Sequence, residues 1–237
     1  DCLHPVDRVE PLLFVLRGPD RMTHAAFSDR LRNALAPALL EREPAGLKLT
    51  WTATPPPALS IVPLRRSRLA LVSLWTASDE TSGWLEALDA GGAVRGGYRV
   101  EESIPVGYAR AWPDGQPTPG AGLLTLLRRN PRLTPEAFMR EWFDRHTPMS
   151  LRIHPLWNYV RNVVDEPLVD WSPGLDGVVE EHFRRRGDLL NPVRFFGGPL
   201  RMLPHMLEVG RHVNRFLDLS TIETYLVDEL WLRTPGG

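Results

Sequence analysis

The chain has 237 residues, 43% of them apolar, enough to bury a substantial core as either one large domain or two small ones. Its formal net charge is -1 with Arg and acidic residues interspersed, so no basic stripe exists to neutralise phosphates, and nucleic acid is not an expected partner. No apolar run approaches the roughly 20 residues of a membrane span, the first residues lack a secretion-signal pattern, and the single cysteine, Cys2, can form no intrachain disulfide, so the sequence reads as soluble and cytoplasmic, without a membrane partner.

In chain order, a short apolar strand from Pro11 to Arg17 precedes a turn and a helix over roughly 23–40, with Thr23 as a cap. An extended segment leads to a more apolar strand, Arg68 to Trp75, then a second helical region and a strand at Tyr98–Glu102. The Pro- and Gly-rich stretch from Trp112 to Gly120 reads as a linker. Beyond it the same order returns. A strand from Gly122 to Arg129 is followed by a helix over about 134–151, opened by Thr134 as N-cap and Pro135 in the first turn. The strand Asp176–Phe183 follows, then a helical region, and Tyr225–Glu229 closes the half as Tyr98–Glu102 closes the first.

The order β-α-β-β-α-β, twice over, is the split βαβ pattern of a ferredoxin-like module. Such a module covers one sheet face with helices and leaves the other apolar and bare, so two modules are expected to pack sheet against sheet. The expected fold class is α+β: two ferredoxin-like repeats forming one barrel, with residues 1–112 as the first repeat, 113–121 as the linker and 122–237 as the second.

The segment Leu123 to Phe138, then Trp142-Phe143-Asp144-Arg145-His146-Thr147-Pro148, resembles the EthD family of the dimeric α/β barrel superfamily. The match continues through Pro155–Asn162, Asp176–Glu180 and Arg215–Ser220, covering nearly all of the second half in order. Its more specific elements are W-x-x-x-H-x-P and the downstream D-G-x-x-E. The first half keeps the order of elements but not these side chains: Leu35-Ala36-Pro37 stands where His146-Thr147-Pro148 would be. Typical members are single modules that pair as homodimers. The resemblance therefore implies an intramolecular dimeric α/β barrel, a built-in pseudo-dimer with a degenerate first repeat, and leaves further homo-oligomer formation open.

Candidate chemistry gathers in the second half. Along Val178–Phe183, side chains alternate faces, so Glu180 and His182 share one with Val178, while Val179, Glu181 and Phe183 take the other. Facing into a barrel, Glu180 and His182 could form a general acid–base pair; facing out, they would be a solvated patch. Val72 and Leu74 read as their first-half counterparts and cannot titrate, so the titratable lining is expected from the later repeat alone. His146 shares a helical stripe with Phe138 and Trp142, where partial burial would keep it neutral. The plainer reading of His146 is a helix-end residue satisfying a carbonyl, and the resemblance favours function.

Trp157 and Tyr159 lie two apart in an extended segment and would share a face, with Tyr159 as a hydrogen-bond donor to a ligand oxygen. The expected site is then His146, Glu180, His182 and Tyr159 as catalytic groups, with Phe138, Trp142, Trp157 and Trp75 lining the substrate. His154 before Pro155 reads as exposed, His205 and His212 as surface histidines, and the sole lysine, Lys48, as a trace of biased base composition. No metal-ligand spacing, phosphate loop or nucleophile elbow is present. The sequence thus points to a lyase or isomerase of decarboxylase, dehydratase or cyclase type, without cofactor or metal, acting on a hydrophobic aromatic or polyketide-like molecule. Activities of this kind are found among EthD-like proteins. The rival readings are a haem-binding barrel, with His182 or His205 as axial ligand, and a non-catalytic protein that sequesters a hydrophobic metabolite.

Overall fold

The structure, a computed structural model, describes residues 10–77 and 81–236, so Cys2 lies outside the described residues. Among the described residues there are eight strands: β1 (Pro11–Arg17), β2 (Gly46–Trp51), β3 (Leu69–Trp75), β4 (Ala93–Val106), β5 (Ala121–Leu127), β6 (Asn158–Pro167), β7 (Gly177–Phe183) and β8 (Glu223–Arg233). They close into one antiparallel barrel in the order β1-β3-β2-β8-β5-β7-β6-β4. Within each half the order is the same, fourth-first-third-second, and the halves meet at two seams, β2 on β8 and β4 on β6.

Both faces of most strands are buried, and for this reason β1 and β3 are near-continuous apolar runs rather than alternating ones. On β1, Leu12, Phe14 and Leu16 face outward under helices, packing with Phe27, Leu31, Leu39 and Trp84. Leu13 and Val15 face inward and meet Leu71, Tyr98, Leu124, Leu126, Val178 and Tyr225 at the barrel's centre. Each such aliphatic side chain contributes about 1.5–3 kcal/mol by leaving water. That inner cluster draws on both halves, so closing the barrel removes the bare face that either half alone would expose.

Among the described residues, six helical segments cover the outside. The helix α1 (residues 24–40) has Thr23 as its N-cap and a π-helical turn, Leu31–Leu35, between the α-helical stretches His24–Arg30 and Ala36–Leu40. The helix α2 is Thr81–Leu88. In the second half α3 (residues 135–153) is capped by Thr134 and repeats the π turn, at Glu141–His146, between Pro135–Arg140 and Thr147–Ile153. The short α4 (Arg186–Leu190) and α5 (Pro192–Phe195) lead to α6 (Met202–Phe216). No helix among the described residues is long and apolar enough to cross a membrane.

Both π turns have the same local cause. The amides of Ala36 and Thr147 reach back five residues, to the carbonyls of Leu31 and Trp142, and each is followed by a proline that has no N–H to continue an α-helical ladder. The Thr147 hydroxyl adds a second bond to the Trp142 carbonyl at 2.9 Å. Leu35 ends the first π turn as His146 ends the second. Leu35 is 0% exposed and so tightly packed that a Cβ on Gly91 would approach its side chain to 2.7 Å. The stretch 113–121 runs beside β8, donating from the Gly115 and Thr118 amides to the Trp231 and Glu229 carbonyls.

Candidate functional site

The barrel wall divides the expected site residues between two cavities. Alternation along β7 sends Glu180 and His182 inward, as the sequence pattern proposes, and sends Glu181 outward beneath the helices with Val179 and Phe183. His146, Trp142, Phe138 and Tyr159 are on that outer, helix side. The four expected catalytic groups are therefore not brought together.

On the inner side, a cavity of about 560 Å³ opens at one end of the barrel, lined by Lys48, Trp75, Glu102, Tyr108, Asn158 and Trp231 among others. Lys48 is the residue the sequence reading undervalued. In Leu47-Lys48-Leu49-Thr50-Trp51 the apolar side chains face the helices and the polar ones the barrel, which places the Lys48 ammonium 2.9 Å and 3.0 Å from the two Glu180 oxygens. Thr50 donates to the same carboxylate at 3.0 Å and Asn162 at 3.5 Å. The expected Glu180–His182 pair does not form. His182 instead faces the Pro119 carbonyl with Nε2 at 2.8 Å and so serves as a donor there.

Glu229, 4.0 Å from Lys48, accepts from the Tyr108 hydroxyl and from Thr118 at 2.7 Å. Burial pulls the Lys48 ammonium down, but the carboxylates of Glu180, Glu229 and Glu102 outweigh it and hold the group above its ordinary range. Burial likewise pushes Glu229 up, and Lys48 and then His182 bring it net below the usual carboxylate value. This is a fixed ion network spanning both halves, so the expectation that titratable lining comes only from the second half fails. Nor are Val72 and Leu74 the counterparts of Glu180 and His182: both lie on the helix side, and the inward residues of β3 are Leu69, Leu71, Ser73 and Trp75. Trp75 stacks on Trp231 at 5.3 Å. Trp157 packs on Tyr108 and Trp112, at 5.0 Å and 5.6 Å, and does not share a face with Tyr159.

The outer cavity, about 400 Å³, lies between the sheet of the second half and helices α3 and α6, with Ile61, Val62 and Pro63 at one wall. Phe138 is buried core behind it, packed on Trp142 and Phe216. Glu181 is placed by its pairing with Leu123 of β5 and Tyr159 of β6, an acid on an otherwise apolar face. Its open surface gives onto this cavity, and among the described residues its carboxylate has no hydrogen-bond or ion-pair partner. Burial without compensation pushes its pKa up to about 7.

His146 lines the same cavity. Its Nε2 is 3.3 Å from the Ser150 hydroxyl, and its Nδ1 is buried with no partner. Burial first, then the neighbouring His212 and His154, lower it to about 3, so it is neutral at any ordinary pH. Its ring stacks on His212 at 5.4 Å and 9° and leans on Phe216 at 4.9 Å. Tyr159 accepts from the Trp142 indole at 3.4 Å, and burial pushes the phenol up to about 12. His154 is buried rather than exposed; it is bonded to the Phe195 carbonyl at 2.9 Å and lowered to about 4 by burial.

The outer cavity thus offers a carboxyl poised near neutrality, a neutral imidazole and a phenol inside apolar walls, the composition suited to proton transfer on an apolar molecule. Of the residues lining this cavity, the sequence reading names His146, Tyr159 and Trp142 as candidates and leaves out Glu181; it takes His212, which stacks on His146, as a surface histidine. The signal for Glu181 was present: a lone acid between Val179 and Phe183 on a face that must be buried. Of the two histidines considered for haem, His182 has Nε2 engaged by Pro119 and His205 has Nδ1 on the Phe196 carbonyl; neither lines this cavity. Among the described residues no group of three His, Cys, Asp or Glu could hold a metal ion.

No protein-family model matches the chain, and no curated protein matches it. Solved structures do. One whose name reads "anthrone oxidase-like protein" superposes with a TM-score of 0.60 at 8% identity, over 98% of this chain and 95% of that one. Two others are named as candidate monooxygenases. That from Fusobacterium nucleatum subsp. nucleatum has a TM-score of 0.48 and 8% identity, over 95% and 94% of the two chains. That from Lactobacillus acidophilus NCFM has a TM-score of 0.46 and 9% identity, over 96% and 97%. What the chain has in common with the first is its α+β fold around a closed eight-stranded barrel.

Proposed function

We propose that the chain is a cofactor-independent enzyme that moves protons on an apolar, aromatic or polyketide-like molecule held in the outer cavity, with Glu181 as the acid–base group. The observation that carries this reading is a carboxyl raised to about 7, without a partner, on the wall of an apolar hollow. As carboxylate, Glu181 takes a proton from a C–H or O–H next to a substrate carbonyl or ring. The resulting oxyanion is met by the neutral His146 and the Tyr159 phenol. Returning the proton to another carbon gives isomerisation or cyclisation, and returning it to a leaving hydroxyl gives dehydration. In this reading Glu180 and His182 hold the barrel together and do not touch substrate.

The same proposal takes the halves, 1–112 and 122–237 joined by 113–121, as ferredoxin-like repeats. Support comes from the shared strand order and the twin π turns. EthD kinship rests on Trp142-x-x-x-His146-x-Pro148 and Asp176-Gly177-x-x-Glu180. In the first half, Leu35 replaces the histidine, and the helix-side residues of β3, Ala70, Val72 and Leu74, carry no acid. The chemistry is therefore assigned to the second repeat.

The test needs no product. A panel of aromatic and polyketide-like ketones is incubated with the protein in deuterated water, and exchange of acidic C–H positions is followed by NMR. Wild type should accelerate exchange with a limb rising through about pH 7, and Glu181→Gln should lose both. Equal exchange in Glu181→Gln would remove the proposal. A second reading is an oxidase, favoured by the fold shared with the structure named anthrone oxidase-like. An anthrone is a C–H acid, so the first step would be the same deprotonation; dioxygen uptake coupled to substrate loss would select this reading over the first.

A further inference from the structure

At the barrel end opposite the Lys48 cavity, a polar hollow of about 290 Å³ is lined by Arg17, Arg65, Ser67, Arg68, Arg95, Glu223 and Tyr225. Its guanidiniums come from separate elements: Arg17 from the end of β1, Arg68 from just before β3, Arg95 from β4, and Arg65 from the connection between β2 and β3. Most of the local negative charge is already committed. Glu223 is held by the Arg95 fork, with Nη1 at 2.7 Å and Nη2 on the other oxygen, and it also accepts from Tyr225. The Arg95 bond is the first cause, ahead of the opposing effect of burial, that takes Glu223 below its ordinary range. Asp20 takes one Arg17 nitrogen at 2.8 Å.

Four guanidiniums against Asp20 and Glu223 leave two positive charges. Arg68 is only 15% exposed, gives Nη2 to the backbone carbonyls of Pro19 and Asp20, and keeps a buried Nε with no partner. A buried guanidinium nitrogen without an acceptor is costly unless something supplies one. Arg128, which follows β5, also has a buried Nε without a partner, and it acts on Tyr98 together with Arg95. Fork-shaped donors converging from several elements are the geometry that holds an oxyanion by paired N–H···O bonds.

We propose that this hollow is a binding site for a small, doubly charged oxyanion of the phosphate type, held by Arg65, Arg68 and Arg17 with Arg95 fixed behind them by Glu223. The site is separate from the outer cavity and does not depend on the reaction assigned there. It touches that cavity through one segment of chain. Ile61, Val62 and Pro63 line the outer cavity, and Arg65 and Ser67 line the arginine hollow. Between them, Leu64 bridges Thr224, the Arg65 amide donates to the Thr224 carbonyl at 2.8 Å, and the Thr224 hydroxyl donates to the Pro63 carbonyl at 2.7 Å. An anion drawn onto Arg65 braces the segment that walls the outer cavity.

The test uses the full chain, with inorganic phosphate and phenyl phosphate titrated calorimetrically against sodium chloride at matched ionic strength. Saturable binding of phosphate, a raised unfolding temperature and slower amide exchange over residues 59–66 are expected, none of them with chloride. Arg65→Ala, at an exposed position that the fold does not need, should weaken binding at least tenfold, and Arg68→Lys should weaken it while keeping the charge. Phenyl phosphate binding tenfold tighter than phosphate would identify an ester as the ligand, and equal binding a free oxyanion; both support the site. Phosphate behaving as chloride does, or binding that Arg65→Ala and Arg68→Lys leave unchanged, would overturn it.

Discussion

Lys48, on the first half's β2, and Glu181, on the second half's β7, are ionisable groups set in the barrel wall, and they are handled in opposite ways. Lys48 is compensated by two carboxylates, and Glu181 by nothing. For Glu181 the consequence is a pH dependence of stability. From pH 4.5 to about 7 the unfolded chain has released this proton while the folded chain still holds it, so stability falls as pH rises through that window and levels off above it. The full shift corresponds to roughly 3 kcal/mol, and the partial exposure of Glu181 reduces it. Glu181→Gln should therefore match wild type at pH 4 and exceed it by about 1–3 kcal/mol at pH 8 in urea unfolding; no difference between the two pH values would mean that the carboxyl is not buried. Lys48→Met acts the other way. It strands Glu180 and Glu229 in the barrel and should cost about 3–5 kcal/mol. Adding Glu180→Gln to that variant should recover a large part, because the stranded charge and not the lost ammonium is the main cost.

At the scale of elements, the helix caps, the strands and the repeated order were legible because they rest on local rules: Thr23 and Thr134 cap as read, and β1, β3, β5 and β7 begin and end within two residues of the sequence expectation. The two π turns were not legible, since they depend on a carbonyl reached five residues back, which no hydrophobic period reveals. Nor was the division of the site. Alternation correctly sent Glu180 and Glu181 to opposite faces, but in a barrel both faces are buried, so alternation alone cannot say which face carries the chemistry. Lys48 was missed because its partners lie 132 and 181 positions away, on strands met only when the barrel closes. The π turn of α3 offers its own test through the Leu35 counterpart. His146→Leu removes a buried nitrogen without a partner and should raise stability by about 1 kcal/mol at neutral pH while abolishing the proposed exchange chemistry. It should also change the acid limb: wild type loses stability as pH falls from 6.5 toward 3, because the unfolded histidine binds a proton that the folded one refuses, and the variant lacks that slope.

For the whole molecule, the governing fact is that its centre belongs to neither half. The inner cluster combines Leu13, Val15, Leu71, Tyr98 and Val100 with Leu124, Leu126, Val178, Tyr225 and Val227, and the Lys48–Glu180 pair bridges the halves above it. The seams β2–β8 and β4–β6 supply backbone bonds that each half would otherwise leave as open sheet edges. A half by itself therefore exposes an apolar sheet face and two open edges and loses the Lys48–Glu180 pair, a combination that about 110 residues with one covered face do not withstand. Breaking the chain between Gly115 and Gln116, where the Gly115 backbone has a positive φ and no heavy atom within 4 Å of a Cβ built there, leaves every strand intact. The two pieces should then be poorly folded or self-associated when produced separately. Mixed from denaturant, they should recover the wild-type circular dichroism and a single 1:1 species in size exclusion. Stable monomeric folding of the 116–237 piece on its own would show that the barrel interior is not needed to hold the second half, and the outer cavity would then be the property of a free-standing module.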